Sequence, residues 1–331
     1  MRAPQLSAPL FAIFALLSLP AHAADRTVVD DTGRTVDIPE NPQHIVVMHE
    51  PLLGLPLVDL GVQLTGSYGR TDDGDFVIAV DFIDTVFGEG LPKPRGIGPF
   101  GQPDLEKLNA LEPDLILATE LDAGKAGQLA TAAPVYMQKV TTGRVQGFDI
   151  EEDLARLLGL EKTFEMRKSG YLERLAAFKS SVPDTEADKT FLGVFITDQL
   201  NVVGSSSGMV QVLHDLGYQP LQIDEKQAAG AGLGSILSMP LSAEQFGKLN
   251  PDMLILLNSY ASEARDEAGT RAALDKIVPG WSRFMKPALE GRVLFLDPAK
   301  VISPTVASAE HMLDALEIWA AHDGTPVAPA N

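Results

Sequence analysis

The chain has 331 residues, with 26 lysines and arginines against 45 aspartates and glutamates, a formal net charge of -19 and no cysteine. That balance argues against nucleic acid or an anionic membrane surface as an electrostatically attracted partner. Without cysteine there are no disulfides, no thiolate metal ligands and no thiol to carry a lipid.

The first residues have the layout of a secretory signal. Met1 and Arg2 are followed by an apolar run, Leu10 to Leu19. It is too short to cross a bilayer, which takes about 20 apolar residues. Pro20 breaks it, and Ala21-His22-Ala23 offers small residues at the positions a signal peptidase reads. Cleavage after Ala23 is expected, releasing an unanchored periplasmic protein, expected to be monomeric. The remaining length suffices for two lobes of ordinary domain size.

Thr27-Val28-Val29 and Thr35-Val36-Asp37-Ile38 predict a hairpin about the turn Asp31-Thr32-Gly33-Arg34. Pro39 and Pro42 lead into His44 to Met48, a short apolar run of the parallel-strand kind. Leu52 to Leu60 predicts a helix closed by Gly61, with a strand over 63–66. In the segment 103–117, PDLEKLNALEPDLIL, Asp104 caps a helix whose inner face is Leu105, Leu108 and Leu111. Pro113 stops that helix, and Leu115 to Ala118 is the next strand. A short helix over 123–132 then leads to the strand Pro134-Val135-Tyr136.

Residues 149–181 carry the longest helical pattern. Leu154, Leu157 and Leu158 form one face, Gly159 interrupts, and Leu172, Leu175, Ala176 and Phe178 continue it until Pro183. Phe191 to Ile196 opens a second series of elements that repeats the first. Ser242 to Leu256 matches the earlier unit at a spacing of 138 positions: Leu108 falls on Phe246, Leu111 on Leu249, Pro113-Asp114 on Pro251-Asp252, and Glu106 on Glu244. Leu57 to Gly61 likewise echoes Leu213 to Gly217. Two copies of one strand–helix unit, split by a long helix, imply an α/β protein of two similar three-layer lobes. The expected division is a signal peptide at 1–23, an N-terminal lobe at 24–148, a connecting helix at 149–182 and a C-terminal lobe at 183–331.

Four segments together resemble a known family: GRTVDIPENPQHIVVM near the start, the PDLEKLNALEPDLIL unit, the long central helix, and GRVLFLD at Gly291 to Asp297. They are similar to helical-backbone periplasmic binding proteins, over about Arg26 to Trp319. The resemblance implies two lobes joined by one rigid helix, small closure on binding, and capture of a ferric siderophore, haem or cobalamin for an ABC importer. A ferric siderophore is the expected ligand, with no cofactor and no enzymatic activity. In such proteins a glutamate on each lobe docks on arginines of the permease dimer, and Glu106 and Glu244 hold the matching positions. Each also suits the first turn of its helix, where a carboxylate favours the dipole.

Ligand residues are expected on loops after the carboxyl ends of the strands. Arg70, Arg95 and Arg144 lie on such loops, and the arginine fork matches carboxylate, catecholate or hydroxamate oxygens. Tyr68, Tyr260 and Trp281 are candidates to pack on an apolar ligand, as is Phe100 in the loop Gly96 to Gly101. His49 is a candidate to ligate haem iron or to donate a hydrogen bond to a chelate. Hydroxamate binders of the family often carry an arginine near position 100 and catecholate binders one near 120, where this chain has Phe100 and Glu120. Glu50 and Glu120, if they face the cleft, favour a neutral or cationic chelate.

Two other classes fit less well. His44, His49, His214, His311 and His322 show no paired metal-ligand spacing, against capture of a bare metal ion. Gly204-Ser205-Ser206-Ser207-Gly208 has no accompanying triad or oxyanion element, against a hydrolase, and reads as a loop capping the helix from Met209.

Overall fold

The computed structural model describes residues 25–140, 145–181, 189–223 and 238–321. The expected signal peptide and Arg144 lie outside them. The predicted hairpin is present: β1 (Asp25–Val29) pairs antiparallel with β2 (Thr35–Pro39). Asp30 closes its turn, accepting from the backbone of Thr32 and Arg34 and from the Arg34 guanidinium.

The first lobe is built on five parallel strands: β3 (Ile45–Val47), β4 (Gly66–Ser67), β5 (Arg95–Gly96), β6 (Leu115–Thr119) and β7 (Val135–Gln138). Their order is β5-β4-β3-β6-β7. Every residue of β3, β6 and β7 is buried, as parallel strands covered on both faces require. The order reverses direction at β3, so a crevice opens beyond the carboxyl ends of β3 and β6.

The second lobe contains β8 (Thr190–Ile196), β9 (Leu200–Val203), β10 (Gln219–Pro220), β11 (Ser238–Leu241), β12 (Met253–Leu257) and β13 (Val293–Leu296). Here the order is β11-β9-β8-β12-β13, with β10 beside the start of β8. β8, β12 and β13 are parallel, while β9 runs antiparallel to both β8 and β11.

The repeated unit folds alike in both lobes. Asp104 caps the helix Leu105–Ala110, accepting from the amides of Glu106 and Lys107. Ser242 caps the helix Ala243–Phe246 in a capping box with Gln245. Leu108 and Phe246, equivalent in the repeat, are both fully buried.

The long helical stretch is two helices. Asp149–Leu158 ends at Gly159, which takes the left-handed conformation (φ 68°) suited to glycine, and Glu161–Ser181 follows. Arg167 on the second helix bonds Asp59 of the first lobe and Glu310 of the second. Phe164, Tyr171 and Leu175 share one apolar cluster with Leu60 of the first lobe and with Phe191, Leu213 and Leu313 of the second. A second shared cluster sets Leu55, Phe82 and Val86 against Ala299 and Ala307.

Between the lobes, two carboxylates meet the amino end of the helix Val306–Ala321. Glu151 accepts from the Val306 amide and Asp59 from the Ala307 amide. Both are buried side by side, and burial raises the proton affinity of each, Glu151 the more strongly, with the Asp59 charge adding to the effect. The other Glu151 oxygen, Oε1, is buried and meets no donor among the described residues.

Candidate functional site

A cavity of about 350 Å³ lies between the lobes. His49, Pro51, Leu52, Ile78, Phe82 and Phe100 form its first-lobe wall. Phe195, Tyr260, Ile302 and Ser303 form the other. His49 follows β3, Phe100 follows β5, Phe195 is the last but one residue of β8 and Tyr260 follows β12, so the strand termini place the site as the topology requires.

The walls join through a chain of rings. His49 lies 6.5 Å from Phe100, Phe100 5.9 Å from Phe76, and Phe76 5.1 Å from Phe82. Phe82 then meets Tyr260 edge-on at 5.0 Å across the lobe boundary, and Tyr260 meets Phe195 at 5.1 Å. Gly69 makes room for Phe100: a Cβ there would stand 2.6 Å from the ring, and its φ of +78° already favours glycine.

His49 is fixed by its own backbone. Its Nδ1 accepts from the Leu52 amide at 3.2 Å, capping the single π-helical turn Glu50–Gly54. Burial pulls its pKa to about 4 against the opposing charge of Asp122, so the ring is neutral at ordinary pH. With Nδ1 accepting, the proton of the neutral ring sits on Nε2.

His49, Phe100 and Tyr260 are therefore brought together in the cleft wall. Arg70 is not a clamp: it is buried, and its guanidinium bonds both Glu50 oxygens at 2.6 Å and Asp81 at 2.8 Å. Its Cζ also lies 5.0 Å from the Phe76 centroid. Glu50, considered as a cleft carboxylate, is equally buried in this pair. Burial lifts its proton affinity against the opposing guanidinium. Asp81 feels its own burial too, but hydrogen bonds from Arg70 and Lys93 bring it down to about 2.

Trp281 is also displaced from expectation. It is 1 % exposed, packed in the second-lobe core with Leu192, Leu254 and Met285, and Arg271 lies over its ring. Tyr68 is buried among Met48, Ile97 and Met137, its hydroxyl without a partner among the described residues. Arg95 is exposed on edge strand β5 and does not line the cavity. Both Glu120 oxygens accept from the Val140 amide. Glu106 and Glu244 are exposed on matching helices, and Glu244 pairs with Lys248 at 2.6 Å.

Ile78, Phe82, Phe195, Ile302 and Ser303 were not anticipated as cleft residues. Phe195 belongs to an apolar run that does not mark it as facing a cavity, although in the fold it is one of the less buried residues of β8. Phe82 opens an apolar helix just after the Asp81 cap, with no local mark of a ring that faces a cavity.

A putative ABC transporter substrate-binding lipoprotein, YhfQ of Bacillus subtilis, is 24% identical over 293 residues, covering 88% of this chain and 87% of that protein. The Fe(3+) dicitrate-binding periplasmic protein FecB of Escherichia coli is 27% identical over 260 residues, 77% of this chain and 78% of that one. Among solved structures, Staphylococcus aureus SirA complexed with staphyloferrin B superposes with a TM-score of 0.66 at 20% identity, covering 90% of this chain and 98% of that one. It shares the fold. The profile of the periplasmic binding protein family matches residues 79–299, two thirds of the length, and the chain belongs to that family.

Proposed function

We propose that the protein captures a ferric siderophore in the interlobe cleft and delivers it to the permease of an ABC importer. The observation that carries this is the aromatic cavity at the strand termini of two lobes, in a chain of a binding-protein family. FecB is named for Fe(3+) dicitrate, and the SirA structure holds staphyloferrin B, which supports an iron chelate as the cargo. The protein works after export, with the signal removed after Ala23, as a periplasmic monomer without a cofactor. Glu106 and Glu244, exposed at equivalent places on the two lobes, face the two halves of a permease dimer.

Haem or cobalamin capture is the alternative within the same transport type. Bare metal capture is less favoured: among the described residues no three histidine or carboxylate groups converge on a common point. Isothermal titration of the purified mature chain with ferric siderophores, haem, cobalamin and free zinc or manganese tests the reading. Saturable binding of at least one ferric chelate is expected. Binding of free metal or haem alone overturns it.

A further inference from the structure

The lining of the cleft is uncharged among the described residues, and this inference rests on the proposed capture of an iron chelate. No lysine, arginine, aspartate or glutamate lines the cavity among the described residues. Arg70, which packs on Phe76 beside the first wall, is already bound by two carboxylates, Glu50 and Asp81. Lys93 is held by Asp81 and Asp84. Neither cation is free to neutralise a ligand. An anion entering here gives up its hydration for ring faces and aliphatic groups, a transfer that costs heavily without a paired charge.

The polar groups that do line the cavity are His49, Tyr260 and Ser303. Of these, His49 has its hydrogen-bonding roles set by the fold. Because Leu52 donates to Nδ1, the ring keeps its proton on Nε2. A nitrogen carrying a proton donates a hydrogen bond, and it has no lone pair to give to iron. Metal-bound histidine has the opposite arrangement, in which the other ring nitrogen donates to an acceptor.

We infer that the cleft selects a coordinatively complete ferric chelate that is neutral or singly cationic, with an apolar or aryl periphery, oriented by a hydrogen bond from His49 Nε2–H to a ligand oxygen. Iron stays wholly inside the small molecule, and the ring chain from Phe100 to Phe195 covers its outer face. His49 is thereby a specificity-determining donor, not an iron ligand.

The test uses the purified mature chain and a panel of tris-hydroxamates (neutral and monocationic), a trianionic tris-catecholate and ferric dicitrate. Each is titrated as the ferric complex and as its substitution-inert chromium(III) counterpart. Neutral and monocationic complexes should bind about tenfold or more tightly than the trianionic one. Chromium and iron forms should bind alike, and the visible band of the ferric complex should not shift. His49→Phe should weaken binding about tenfold, the loss of one hydrogen bond. His49→Asn should recover most of it, since the amide can accept from Leu52 and still donate. Tightest binding of the trianionic complex overturns the inference while leaving chelate capture standing. Failure of the chromium forms, or wild-type affinity in His49→Phe, overturns the donor role. Silence across the whole panel overturns both the inference and the proposed function beneath it.

Discussion

The two walls of the cleft are held in place by different physics. In the first lobe, the irregular stretch from Arg70 to Asp81 is gathered around one guanidinium, which bonds Glu50, the Gly74 carbonyl and Asp81. In the second lobe, the turn carrying Tyr260 is gathered around a neutral amide: Asn258 donates to Ser262 and to the Ala264 carbonyl, and accepts from Ser259. The first loop is longer and carries Phe76 and Phe82 outside the named strands. A charged fork with several donors reaches all its anchor points at once. The second follows β12 directly, so neutral hydrogen bonds suffice.

The difference can be broken by mutation. Arg70→Ala should be the most damaging change, because it leaves Glu50 buried without a counter-charge; about 3–5 kcal/mol of stability should be lost in denaturant titration. Asn258→Ala removes one donor from the Ala264 carbonyl, which keeps the Ser262 hydroxyl, and should cost about 0.5–1.5 kcal/mol. Equal losses for the two would mean that the guanidinium is no more important to its wall than the amide is to the other. The Asp81 pairing should also survive acid. Its pKa is lowered to about 2, so its contribution is present above the ordinary carboxylate value and lost only as pH falls through about 2.

A smaller effect is expected at the junction between the walls. Glu151 has a raised folded pKa, so the folded state holds a proton that the unfolded chain releases. Its contribution is greatest near and below the ordinary glutamate value and is lost as pH rises through the raised value. Glu151→Gln mimics the protonated group, and it should melt higher than wild type at pH 8 and flatten the dependence of melting temperature on pH. A steeper dependence in the variant would show that another group governs the slope.

The least structural change is expected on the outer face. The double variant Glu106→Ala, Glu244→Ala should leave melting and ligand affinity nearly untouched, since both side chains are exposed. Uptake should nevertheless fall, more than in either single variant. Unchanged uptake would return both residues to the role of first-turn carboxylates.

Much of this architecture was legible in the residues. The repeat at 138 positions, the Asp104 and Ser242 caps and the break at Gly159 are local signals, and the chain obeys them. The site was legible only in part. A loop arginine looks the same whether it faces a ligand or turns inward, and the partners that turn Arg70 inward lie 20 and 11 positions away. Trp281 follows a glycine turn as a cleft aromatic could, yet the space between Arg271 and Phe295 claims it. Phe82 and Phe195 belong to apolar runs, where nothing local separates a ring facing the core from one facing a cavity.

The apolar cluster that runs from Leu60 through Phe164 and Tyr171 to Leu313 belongs to neither lobe alone. Losing either lobe exposes part of the same core, so the surface that stabilises one half is withdrawn when the other half opens. Heating should therefore give a single calorimetric transition with equal van't Hoff and calorimetric enthalpies, although the chain has two lobes. Cargo bound across the boundary would raise that one transition as a whole, and no stage of unfolding would leave one lobe intact and still gripping its ligand.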